Sequence, residues 1–281
     1  KGGTYVSDFD KTQIKNKLKN YAIAGINATI VDLKILYVEL NSTIYYNPAQ
    51  VASASNLRTS IVSSLDNYSR NIEINKFGGR FKYSKLNTLI DRVDNGITSN
   101  ITKVIIRRDL KALLNQFAQY ELCFGNRFNI NPAGYNIKST GFTVSGSNET
   151  AHLTDVPNKD AAGNLDGSMK GTLSVVFKNE RDKQQVLIKD AGIVDYKKGE
   201  IILNTINITS TAAENNIIEV QAFPESNDVV GLKDLYLSFD VSKSTINMFK
   251  DVIASGEDVS GVVFTRDYYT SSYSNGDLER K

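Results

Sequence analysis

A chain of 281 residues with 41% hydrophobic and 23% charged side chains is globular, long enough for one large core or two moderate ones. Its 33 basic and 31 acidic side chains leave a formal charge of +2, too balanced for the basic stripe expected of a nucleic-acid or anionic-membrane surface. Cys123 stands alone, which excludes an internal disulfide and the small secreted disulfide scaffolds, and no apolar run approaches the roughly 20 residues of a membrane span.

Lys1 opens the chain without a Met or an apolar leader, which reads as a fragment of a longer protein. The first pattern is a helix, with Asp8 or Asp10 as cap and Ile14, Leu18 and Tyr21 on one face. After Gly25 the period changes to two: Asn27 to Tyr46 reads as one long strand, or two joined near Asn41, ended by Asn47-Pro48. Val51, Ala54, Leu57, Ile61, Leu65 and Tyr68 make one stripe of a second helix. Asn71 to Phe77 is short and extended, closed by Gly78-Gly79. Ser84 offers a cap for a third helix carrying Leu86, Leu89, Ile90 and Val93, stopped at Asn95-Gly96. Ile101 to Arg107 is a β-branched strand, residues 109 to 117 suit a helical turn or two, and Tyr120, Leu122 and Phe124 alternate as a strand.

Beyond about residue 131, Gly, Asn, Asp and Ser punctuate short alternating runs. Strands are expected around Phe142 to Val144, Leu173 to Phe177, Val186 to Ile188, Ile217 to Phe223, Leu235 to Phe239 and Gly261 to Phe264. Ala191 to Tyr196 and Glu200 to Ile208, joined by Tyr196-Lys197-Lys198-Gly199, read as a hairpin whose turn needs its glycine. From Tyr268 the tail mixes Tyr, Ser and charges and is expected to fray. The strand–helix–helix–strand order gives the fold class as α+β: an N-terminal α/β layer domain over 1–130, a small sheet with helices on one face, followed over 131–281 by a mostly-β sandwich-like (or barrel-like) domain. Residues 125 to 140, with Asn, Gly and Pro, are the expected hinge.

Reactive groups are few. His152 is the single His, with no G-x-S-x-G elbow: Ser145 precedes Gly146 but lacks the earlier Gly. A Cys123–His152 dyad is conceivable, against the plainer reading of Cys123 as a small strand hydrophobe. One Cys and one His cannot build a structural zinc site. Asp8 and Asp10 lack the preceding buried strand of phosphoryl-transfer loops and suit a helix start instead. Asp155, Asp160 and Asp166 lack calcium-loop spacing, and Gly78-Gly79 has no Walker lysine. Paired carboxylates for glycoside hydrolysis could converge from any of the acids, but no Trp is present to stack a sugar. Catalytic, cofactor-binding and metal residues are therefore expected to be none. The 14 Tyr suit sheet packing and interfaces alike.

Several weak patterns in order carry a resemblance. Asn27 to Tyr46, the helix at Val51 to Tyr68, Phe77-Gly78-Gly79-Arg80-Phe81-Lys82-Tyr83-Ser84-Lys85-Leu86 and Ile101 to Arg107 resemble the baseplate J-like family of phage tail proteins. Tyr120-Glu121-Leu122-Cys123-Phe124-Gly125-Asn126 and Ser139-Thr140-Gly141-Phe142 continue it. Ala191-Gly192-Ile193-Val194-Asp195-Tyr196-Lys197-Lys198-Gly199-Glu200-Ile201 looks like a hairpin of the longer wedge members in T-even-type phages, in their C-terminal part. The resemblance implies a non-enzymatic component of a contractile-tail baseplate, located in the virion and assembled in the host cytoplasm. It would pair with itself, close into a ring, hold other wedge proteins and rearrange on sheath contraction, without nucleic-acid or membrane partners. The rival readings are a β-rich tail adhesin, against which the lack of repeats speaks, and an enzyme of the glycosidase or peptidase type.

Overall fold

The computed structural model describes residues 8–21, 30, 33–70, 74–179, 181, 183–251, 273–274 and 277–278. In chain order the elements are α1 (Asp8–Lys19), β1 (Ile35–Tyr46), α2 (Ala54–Ser69), β2 (Lys76–Phe77), β3 (Arg80–Phe81), α3 (Tyr83–Asp91), β4 (Ile97–Lys111), β5 (Phe117–Cys123), β6 (Lys138–Ser139), β7 (Phe142–Val144), β8 (Ala151–Pro157), β9 (Lys170–Lys178), β10 (Gln184–Asp195), β11 (Glu200–Thr211), β12 (Ile217–Ala222), β13 (Val229–Val230), β14 (Tyr236–Phe239) and β15 (Thr245–Lys250). The expected strand at Gly261 to Phe264, the start of the run at Asn27 and residues 71–73 lie outside the described residues. Two compact units are each built from separated segments: Lys1–Glu39 with Tyr68–Tyr83 and Val104–Lys243, and Leu40–Asn67 with Ser84–Lys103 and Ser244–Lys281.

The larger unit contains a closed barrel. Strands run β10-β9-β8-β7-β11, and β10 pairs again with β11, so five strands form a ring, with β5 added outside on β11. Closure follows from the hairpin: Asp195 faces Glu200 across a four-residue turn, and Gly199 sits at φ 69° with the Asn126 carbonyl where a Cβ would stand. Alternation then directs Leu153, Leu173, Val175, Val194, Ile201, Leu203 and Ile208 inward, all buried. Tyr196 and Asp155, both 0% exposed, meet among them: the Tyr196 hydroxyl donates to Asp155 Oδ2 at 2.7 Å, and the Ile137 N–H donates to Oδ1 at 2.6 Å.

The same unit carries an open sheet, ordered β2-β14-β1-β4-β12-β6. Its β1 runs parallel to β14, with Ile35 opposite Tyr236, and β12 runs antiparallel to β4, with Gln221 opposite Arg107. Leu36, Val38, Ile106, Val220 and Leu237 form its apolar face, and Phe239 meets Phe81 at 5.6 Å and Tyr68 at 6.4 Å between ring centroids. The segment expected to hinge is tied at both ends. Asn126 exchanges two hydrogen bonds with the Val230 backbone, and Asn136 does the same with Phe223.

In the smaller unit, residues 41–46 of β1 pair in parallel with β15, Asn41 opposite Thr245. The stripe of α2 buries Leu57, Ile61 and Leu65, and α3 buries Leu86 and Ile90, each such side chain contributing about 1.5–3 kcal/mol. Asn47-Pro48 ends β1 as its chemistry requires. Tyr83, at the end of a larger-unit segment, opens α3 in place of Ser84, and its N–H donates within that unit to Asp228 at 2.8 Å. The α1 stripe is not buried: Ile14, Leu18 and Tyr21 are all exposed.

The α+β reading is overturned. Among the described residues the chain is mostly β, with three α-helices and a five-stranded barrel. The N-terminal α/β layer fails because β1 and β4 do not form a sheet of their own; they pair with β14, β15 and β12, from residues 217–250. The sandwich fails because β10 bonds both β9 and β11 and closes the ring. Residues 109–117, expected to turn helically, finish β4 and begin β5, leaving Leu113 and Phe117 exposed.

Candidate functional site

Three strands of the open sheet each present a pair of residues two positions apart on the face opposite the apolar one: Tyr37 and Glu39 on β1, Arg107 and Asp109 on β4, Glu219 and Gln221 on β12. The segment after β14 adds Asp240 and Lys243, held by the Asp240 N–H donating to the Val38 carbonyl at 2.9 Å. Arg107 is the centre. Its Nη1 lies 2.7 Å from Glu39 Oε1 and 3.7 Å from Glu219 Oε2, its Nε 3.2 Å from Asp109 Oδ1, and its Nη2 3.2 Å from Asp240 Oδ2. The guanidinium carbon also sits 4.2 Å from the Tyr37 ring centroid. Lys243 pairs with Glu219, and the Gln221 amide donates to Glu39 Oε2 at 2.7 Å.

Burial and charge count oppose each other here. Glu39 and Arg107 side chains are 2% and 4% exposed. Four carboxylates face two cations, so the cluster carries an excess of negative charge when all are ionised. Glu39 is accordingly pushed up to about 7, mainly by burial, with Asp240 and Glu219 adding to the rise and Arg107 opposing it. Burial also raises Asp109. For Arg107, burial works against the charge, but Asp109, Glu39, Glu219 and Asp240 outweigh it and hold the guanidinium above its usual range. Glu39 Oε1, Arg107 Nε and Nη1 and Asp109 Oδ1 are within ion-pair distance yet make no aligned hydrogen bond. The cluster is therefore held by charge more than by directed bonds, and its chemical capacity is to bind or release a proton.

The residues singled out from sequence lie elsewhere. Cys123 ends β5 opposite Glu200, half-buried, its thiol pushed up first by burial. His152, on β8, places Nδ1 3.0 Å from the Ser139 carbonyl. Two strands, β7 and β11, stand between β5 and β8, so the sheet does not bring Cys123 and His152 together. Asp8 and Asp10 lie in the first turn of α1. Asp155 is in the barrel core, while Asp160 and Asp166 shape turns: Asp160 accepts the Ala162 and Asn164 N–H groups at 2.9 Å, and Asp166 accepts Ser168, which lowers its pKa. Gly78 takes φ 62°, the tight turn its sequence implies. Ser145 donates its N–H to the Asn207 carbonyl at a strand end. Among the described residues no three of His, Cys, Asp and Glu converge as metal ligands, and no helix is long and apolar enough to cross a membrane. Glu39, Arg107, Asp109, Glu219, Asp240 and Lys243 were not foreseen. Their available signal was charged residues inside the β-branched runs of β1, β4 and β12.

Residues 34–109, which contain Tyr37, Glu39, Arg107 and Asp109, match the family model of the C-terminal domain III of the baseplate structural protein gp6. A stretch of 113 residues, 40% of the chain, is 26% identical to the baseplate wedge protein gp6 of Enterobacteria phage T4. That stretch covers 17% of the length of the T4 protein.

Proposed function

We propose that this chain is a structural component of a contractile phage tail baseplate, corresponding to the C-terminal region of a wedge protein, and that it makes and breaks no covalent bond. The observation that carries this reading is the match of residues 34–109 to the gp6 C-terminal domain III, supported by the weaker likeness to the T4 wedge protein. The geometry agrees with it. The polar centre around Arg107 spends its charges on one another across β1, β4, β12 and the segment after β14, as a framework element does.

In this role the chain sits in the virion tail baseplate after assembly in the host cytoplasm. It associates with a second copy, contributes to a closed ring, holds neighbouring wedge proteins and shifts against them when the sheath contracts. Kinship with the wider baseplate J-like proteins belongs to the same proposal. Self-association is the part most directly tested. Light scattering on the purified chain at rising concentration is expected to show a two-fold dimer; a monomer throughout the high micromolar range overturns it.

A further inference from the structure

We propose that the outer edge of β5 pairs antiparallel with β5 of a second copy of this chain, across a two-fold axis at Gln119. This pairing presupposes the self-association proposed above and gives it a location. Among the described residues β5 stands last in the barrel sheet, with β11 on one side and no strand on the other. The open sheet, by contrast, ends in β2 and β6, two residues each, and edges that short offer little to a further strand. β5 has seven residues, and none of them is the Lys or Pro that commonly guards an edge. Phe117 is 76% exposed on it, and Leu113, whose N–H donates to the Tyr120 hydroxyl at 3.0 Å, is a second exposed apolar side chain beside it.

The ladder determines which groups point outward. The Phe124 N–H donates to the Gly199 carbonyl at 2.8 Å, and the register continues with Leu122 opposite Ile201 and Tyr120 opposite Leu203. Residues that bond a given neighbour alternate along a strand, so Leu122 and Tyr120 address β11, while Glu121, Gln119 and Phe117 turn N–H and C=O outward. Cys123 shares their parity, and its carbonyl accepts from Arg108 of β4, at 2.8 Å, instead of from β11. Three donors and three acceptors therefore lie in a row, and the same strand running the other way meets all of them. With the axis at Gln119, Gln119 faces Gln119 and Phe117 faces Glu121 on either side, and each facing pair exchanges two hydrogen bonds. This register leaves the Cys123 carbonyl to Arg108. It also suits the charge. Glu121 is the one carboxylate side chain of β5; an axis through it sets like charges opposite each other, whereas the axis at Gln119 holds them roughly 13 Å apart along the strands.

The test uses the full 281-residue chain and measures dimer affinity by sedimentation equilibrium. Phe117→Glu sets an acid opposite the partner copy's Glu121 twice per dimer and is expected to weaken association about tenfold, with the melting temperature of the monomer unchanged because Phe117 is exposed. Adding Glu121→Lys to the same chain is expected to recover most of that loss. Within one copy the two positions lie roughly 13 Å apart along the strand, so the recovery has to come from across the axis. Cys123 is the single cysteine, and Cys123→Ser gives a background for one new thiol. Facing residues of a bonded pair lie about 5.5 Å apart at Cα, so a short bis-maleimide is expected to link Gln119→Cys chains to one another and to leave chains with Asn148→Cys, on the exposed turn after β7, unlinked. A dimer whose affinity ignores Phe117→Glu, a loss that Glu121→Lys does not recover, or no link at position 119 overturns this pairing and leaves self-association standing. A wild type that stays monomeric throughout overturns both.

Discussion

The barrel and the open sheet both bury polar side chains, and they do so in opposite ways. In the barrel, Asp155 receives one aligned donor on each carboxylate oxygen, from Tyr196 and from the Ile137 N–H. In the open sheet, Arg107 gathers four carboxylates at 2.7–3.7 Å, and several of these contacts lack hydrogen-bond alignment. Directed bonds give the barrel a polar core whose pairing is fixed by geometry. A cluster held by shared cations is softer and answers to protons, because burial lifts Glu39 to about 7.

Three measurements press on this contrast. The largest effect is expected from Arg107→Met, which takes from Glu39, Asp109, Glu219 and Asp240 the buried cation that all four face. Loss of a buried partner of this kind costs about 3–5 kcal/mol, to be read as a shift of the urea midpoint at unchanged slope. A loss below about 1 kcal/mol, the range of surface pairs, would place the cluster's charges in effectively aqueous surroundings and erase the contrast.

Next is pH. The folded value of Glu39 lies above its ordinary 4.5, near 7, so the folded protein holds that proton more tightly than the unfolded chain. The resulting stability is fully present below about pH 4.5 and is lost as pH rises to about 7, with a ceiling of about 3 kcal/mol over that window. Denaturation midpoints measured at successive pH values should fall across it, and Glu39→Gln should remove this part of the slope. A wild-type slope unchanged by Glu39→Gln would assign the titration to another group.

Tyr196→Phe is expected to cost less, about 1–3 kcal/mol, by stranding one Asp155 oxygen inside the barrel. Because the open-sheet cluster is untouched, its pH profile over the same window should run parallel to that of the wild type. A changed profile would show that the two polar centres are coupled and should be treated as one.

What could be read from the sequence was local. The β10–β11 hairpin was visible because Gly199 and the alternation on either side lie within one short stretch, and the stripe of α2 was visible because helical contacts recur every three or four residues. Pairing was not. Nothing near Ile35 announces Tyr236 as its neighbour, and the α/β layer was inferred from an order of elements that the real sheet does not respect. Barrel and sandwich share the same alternating strands, and only the second partner of β10 separates them. The charge cluster escaped for a related reason. Glu39, Arg107 and Glu219 each look like an ordinary polar position in a strand, and they become a site only when β1, β4 and β12 lie side by side. The α1 stripe shows the converse: a helical pattern was plain, but periodicity does not say what covers it.

The parallel pairing of β1 with β14 and β15 carries a consequence for synthesis. When the ribosome has delivered Thr211, all five barrel strands exist, yet β1 still lacks the neighbours that lie at Tyr236–Phe239 and Thr245–Lys250. Counted from the completion of β1 at Tyr46, the wait to Lys250 is roughly 10–40 s at about 5–20 residues per second. Throughout that interval Leu36, Val38, Leu40 and Ile44, all buried in the finished protein, sit on a strand that has at most β4 on one side and an open edge on the other.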